Sequence, residues 1–83
     1  SPLEFPCEFF VKIIMKNSDS SKEKVTAIIQ KHFDQFDTDA LSLRPSKNDN
    51  YLAFTAKLQV PEKAPLDALY KELSDEPEVL MAL

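Results

Sequence analysis

The stretch Tyr51-Leu52-Ala53-Phe54-Thr55-Ala56-Lys57-Leu58-Gln59-Val60 decides the fold. Leu52, Phe54, Ala56, Leu58 and Val60 alternate with Tyr51, Ala53, Thr55, Lys57 and Gln59, the period of a strand with one face on a core and the other on water. This predicts a strand over 50–60 that stops at Pro61, because proline brings no amide to a sheet ladder. Just upstream, Pro45-Ser46-Lys47-Asn48-Asp49-Asn50 reads as a hairpin loop. The chain has no glycine, so Asn48 and Asp49 are the residues best able to accept positive φ there. Before the loop, Leu41 and Leu43 alternate with Ser42 and Arg44, predicting a shorter strand over 39–45. Downstream, Pro65 suits a first helical turn, where amides are free, and Leu66, Leu69, Tyr70 and Leu73 form a stripe at helical spacing. A helix over 62–74 follows, broken by Asp75-Glu76-Pro77, and Val79 to Leu83 closes the chain as a strand over 78–83.

The N-terminal half repeats the pattern. Cys7 to Lys16 is rich in β-branched and aromatic residues, and period two sets Phe9, Val11, Ile13 and Met15 against Phe10, Lys12, Ile14 and Lys16. Ser20 followed by Glu23 has the spacing of a capping box, which satisfies the first free amides of a helix. Val25, Ile28, Ile29, His32, Phe33 and Phe36 then share one helical stripe, so a helix is expected over 20–34. Its end, within Asp34 to Asp39, must use an Asn- or Asp-type turn in place of a glycine cap. Ser1 to Pro6, with two prolines, reads as an extended arm, and residues 7–83 as a single domain. The resulting order β-α-β-β-α-β defines an α+β, ferredoxin-like fold: a four-stranded antiparallel sheet carrying two helices on one face. The core is expected to hold Val11, Ile13, Val25, Ile28, Ile29, Phe33, Leu43, Phe54, Leu58, Leu66, Leu69 and Leu73.

Composition bounds the function classes. At 83 residues, with 43% hydrophobic and 29% charged residues, there is room for one sheet-and-helix core and no second domain. No apolar run approaches the roughly 18 residues of a membrane-spanning helix, and the first residues lack the basic and apolar regions of a signal peptide. One cysteine and one histidine supply neither an internal disulfide nor a zinc site, which fits a reducing, cytoplasmic setting. A net charge of −4 argues against nucleic acid as a partner, since phosphate contacts drive that binding. No phosphate-cradling or dinucleotide motif is present, so no cofactor is expected.

Several segments carry a family resemblance: Leu3-Glu4-Phe5-Pro6, Gln30-Lys31-His32, Arg44-Pro45-Ser46 with Asn50-Tyr51, Leu69-Tyr70-Lys71-Glu72-Leu73, and Val79 to Leu83. Together they resemble the YbeD family of small bacterial proteins over essentially the whole chain. The resemblance implies a ferredoxin-like fold similar to the ACT regulatory domains of amino-acid metabolism, and a link to lipoate metabolism. The chain departs from the family pattern at Asp49 and Ser74, where relatives carry glycine, and from ACT domains at Lys16-Asn17-Ser18-Asp19, which lacks the glycine of their first strand-helix turn.

Three groups of residues are candidates for chemistry. Cys7 and His32 are the one nucleophile-base pair, and they require hydrogen-bond reach to act as one; otherwise Cys7 is a half-buried strand residue and His32 a helix-closing cation. Asp34, Asp37 and Asp39 lack the spacing of a calcium loop and read as a solvated turn. The uncovered sheet face is more informative. Parity puts Phe10, Ile14, Tyr51 and Leu80 on it among Lys12, Arg44 and Lys57. Such a mixture suits a protein partner or a second copy of the chain, or a small anionic metabolite held by the Arg44 fork. RNA-binding domains share this topology and stack bases on this face, yet Asn50 to Phe54 lacks their basic and glycine signature. The expectation is a non-catalytic regulatory or adaptor module acting through the open face, with an RNA-binding module or a small Cys7/His32 enzyme as alternatives.

Overall fold

A computed structural model describes residues 3–83. The elements run β1 (Cys7–Lys16), α1 (Ser21–His32), a 3-10 turn (Thr38–Ala40), β2 (Leu41–Pro45), β3 (Tyr51–Val60), α2 (Lys63–Asp75) and β4 (Val79–Ala82). All strand pairs are antiparallel, in the sheet order β2-β3-β1-β4, which is the ferredoxin-like arrangement expected from the alternation. β1 and β3 pair from Cys7↔Val60 to Lys16↔Tyr51 and form the centre of the sheet. Their core-facing residues Val11, Ile13, Met15, Phe54, Ala56, Leu58 and Val60 are all buried beneath Val25, Ile28 and Ile29 of α1 and Leu66, Leu69 and Leu73 of α2. The expected arm falls outside the described residues at Ser1 and Pro2; within the remainder, Phe5 packs against the core.

Local structure departs from expectation in three places. Leu43 is not in the core: it pairs with Phe54 and so faces the helical side, but β2 is an edge strand and leaves Leu43 45% exposed. The Ser20–Glu23 capping box does not form. Ser20 sits at φ −102°, ψ 3° with no side-chain cap bond, outside the extended region from which a cap side chain reaches the helix amides. The buried Ser21 does the work instead: its Oγ donates to the Lys16 carbonyl at 2.7 Å and accepts the Ser18 amide at 2.8 Å, tying the start of α1 to the end of β1. At the other end, α1 stops without a left-handed residue. Phe33 has φ −134°, and a turn through Asp34 and Gln35 closes with the Phe36 amide on the Phe33 carbonyl at 3.0 Å. The Gln30 side chain donates to the Phe36 carbonyl, and Phe36 reaches the core from beyond the helix. The 45–50 loop behaves as expected, with Asp49 at φ 59°. The Asn17 side-chain amide donates to the Asp49 carbonyl at 2.7 Å and holds that hairpin against the turn after β1.

Candidate functional site

Register fixes which residues share the face turned away from the helices. Glu8, Phe10, Lys12, Ile14 and Lys16 of β1 lie opposite Gln59, Lys57, Thr55, Ala53 and Tyr51 of β3. Ser42 and Arg44 extend two of these rows through Thr55 and Ala53. Met81 adds to the row of Ile14, and Leu83 to that of Lys12, through reciprocal backbone bonds of 2.9 and 2.8 Å. Phe10, Met81 and Leu83 are 55%, 48% and 63% exposed, Tyr51 is also exposed, and Ile14 is half-buried.

The face therefore brings together Phe10, Lys12, Ile14, Arg44, Tyr51 and Lys57, as parity required. Leu80 reaches its exposed position by a different route. Ile14 pairs with Met81 and Met15 with Val79, so the register shifts and Leu80 is the extra residue of a bulge. Val79 and Ala82 consequently pack on the core while both Leu80 and Met81 are exposed. Sequence reasoning missed Met81 because nothing in Val79 to Leu83 signals a bulge. It also passed over Glu8 and Lys16, which the parity of β1 already placed here.

Charge is arranged differently on the two sides of the molecule. On the helical side Lys31 meets Glu72 at 2.7 Å, Lys63 meets Asp67 at 2.9 Å, Lys71 meets Asp75 at 2.7 Å, and Lys24 pairs with Glu78. The hydrogen bonds from Lys31 and His32 hold the Glu72 carboxyl below its ordinary value, and the bond to Glu78 raises Lys24. On the sheet face Lys57 lies 3.7 Å from Glu8, whose carboxylate also accepts the Gln59 amide at 3.2 Å. Among the described residues, Lys12, Lys16 and Arg44 have no carboxylate within 4.0 Å. An acidic protein thus presents a patch of uncompensated positive charge beside exposed apolar area, an arrangement able to attract and seat an anionic group.

The remaining candidates are placed apart from this face. His32 Nε2 lies 2.7 Å from Glu72 Oε1, and the imidazole borders a cleft of about 370 Å³ walled by Phe33, Phe36, Pro61 and Pro65. Cys7 is half-buried at the start of β1, opposite Val60. Among the described residues no hydrogen bond joins Cys7 to His32. Asp37 Oδ1 accepts the Asp39 amide at 2.8 Å, which caps the 3-10 turn. No group of three potential metal ligands occurs among the described residues, nor any helix long and apolar enough to cross a membrane.

Architecture and sheet order define a small α+β protein of the ferredoxin-like, ACT-like class. Within that class the chain belongs to the family described as Protein of unknown function (DUF493), whose model matches residues 1–83. It is 36% identical to the UPF0250 protein NE1487 of Nitrosomonas europaea, over 100% of this chain and 95% of the relative. It is 32% identical to the UPF0250 protein RSc0326 of Ralstonia nicotianae, over 100% of this chain and 86% of the relative. The fold is similar to the solution structure of protein HP0495 from H. pylori (TM-score 0.77, 19% identity, 100% of this chain and 87% of that one). It is also similar to the ACT domain from GTP pyrophosphokinase of Chlorobium tepidum (TM-score 0.60, 15% identity, 92% and 84% of the two chains).

Proposed function

We propose that this chain is a non-catalytic regulatory or adaptor module that acts by binding a partner on its open sheet face. The observation carrying this reading is the coincidence on one face of exposed Phe10, Tyr51, Met81 and Leu83 with Lys12, Lys16 and Arg44, which have no carboxylate within 4.0 Å among the described residues. Exposed apolar area of this kind is otherwise kept small on soluble domains, and apolar centres ringed by charge are typical of interfaces. The likeness to an ACT domain supports a regulatory role by analogy of fold. The family resemblance suggests lipoate metabolism as the setting, which protein lipoylation measured in a deletion strain tests.

RNA fits the face less well. Phe10 and Tyr51 lie at the Lys57 and Lys16 rows, about 20 Å apart at the rise of a strand, too far to stack neighbouring bases. The direct test compares tagged wild-type protein with Arg44→Glu and Tyr51→Ala, identifying co-purified proteins and small molecules by mass spectrometry. Both changes should deplete the same partner while leaving thermal stability nearly unchanged. An identical set of co-purified molecules from all three proteins refutes the reading.

A further inference from the structure

Exposed apolar side chains and cations share the open face, with Phe10 beside Lys57 and Tyr51 beside Lys16. On the β4 side lie Met81 and Leu83, both exposed, beside Ile14 and Lys12 of β1. On the β2 and β3 side lie Arg44 and Lys57. Between them β1 carries Lys12 and Lys16, separated by about 13 Å at a strand's rise per residue.

We infer that the partner of this face is an acidic protein segment, laid along β1 with apolar side chains over Met81 and Leu83 and carboxylates over Lys12, Lys16 and Arg44. This rests on the binding role proposed above. Two carboxylates of the segment set about 13 Å apart meet both Lys12 and Lys16. The side chains on its opposite flank meet Met81 and Leu83. A second copy of this chain fits poorly, because a two-fold pairing brings together two patches that each carry Lys12, Lys16, Arg44 and Lys57, with Glu8 the one strand carboxylate on each to offset them. A polyanion fits poorly too: three cations without a carboxylate partner among the described residues offer few phosphate contacts, and the whole chain has a net charge of −4.

The test places the photoreactive residue p-benzoylphenylalanine at Met81 or at Thr55 in the full chain expressed in cells, followed by sequencing of the cross-linked peptides. The expected result is one partner segment reached from both positions, with apolar residues at the Met81 adducts and Asp or Glu near the Thr55 adducts. Adding Arg44→Glu should lower the adduct yield about tenfold, as opposing charges at an interface imply. Reversing the nearest partner carboxylate to lysine should restore it. Adducts to RNA, to a second copy of this chain, or to a segment without acidic residues overturn the inference but leave binding on this face standing. Absence of adducts from both positions removes the binding role as well.

Discussion

Replacing Phe10 and Leu58 in turn separates a face kept for binding from a face kept for folding. Both lie in the paired centre of the sheet, in adjacent rows: Phe10 opposite Lys57, and Leu58 opposite Phe9. Their environments differ, since Leu58 is 1% exposed and Phe10 is 55% exposed. Truncating a fully buried leucine to alanine costs about 2–5 kcal/mol through lost transfer energy and an unfilled cavity. A fully buried phenylalanine gains about 1.5–3 kcal/mol from burial. With more than half of its surface still in water, Phe10→Ala should cost about 1 kcal/mol or less. Urea unfolding of a small domain has a slope of about 1 kcal/mol per molar. Leu58→Ala should therefore lower the midpoint by about 2 M or more, and Phe10→Ala by about 1 M at most. The assay is urea denaturation followed by circular dichroism, with matched slopes as the check that both variants unfold in the same way. A midpoint loss for Phe10→Ala equal to that of Leu58→Ala would mean that the open face is structural, and the case for a partner there would collapse.

Three further outcomes follow from the local structure. Ser21→Ala should destabilise by about 1–3 kcal/mol, because it strips partners from the Lys16 carbonyl and the Ser18 amide. Ser20→Ala should change thermal unfolding little, since Ser20 makes no cap bond; a larger loss at Ser20 would restore the capping box. Glu72, held below its ordinary value of 4.5 by Lys31 and His32, contributes stability that is fully present above that value and is lost as pH falls through the lowered one. Glu72→Gln should therefore flatten the acid limb of the stability profile below about pH 4.5, and an unchanged limb in a pH series of melting curves would show that the pair adds nothing.

Strand parity is a local property of the chain, and with it the sequence by itself determined most of the architecture. The alternation in Tyr51 to Val60 and in Cys7 to Lys16 settled two faces of a sheet, and the helical stripes supplied the layer above one of them. The same parity placed Phe10, Lys12, Ile14, Tyr51 and Lys57 on the open side, because a side chain's direction in a strand depends only on its neighbours. What needed tertiary structure were the features set by residues distant in the chain. Leu43 has the right parity but sits on an edge that nothing closes over. The bulge at Leu80 comes from how β4 meets β1, and it brings Met81 onto the face against the simple alternation. Ser21 displaces Ser20 as the anchor of α1 because the Lys16 carbonyl lies within its reach. His32 is drawn to Glu72, forty residues away, and not to Cys7. Part of the charge asymmetry also emerges only on folding: packing brings Lys24 to Glu78 and Lys31 to Glu72, whereas β1 and β2 carry Lys12, Lys16 and Arg44 to a surface where Glu8 is the one strand carboxylate and is engaged with Lys57. Coulomb interactions depend on distance in space, so spacing along the chain encodes the i,i+4 pairs Lys63–Asp67 and Lys71–Asp75 but not the long-range ones.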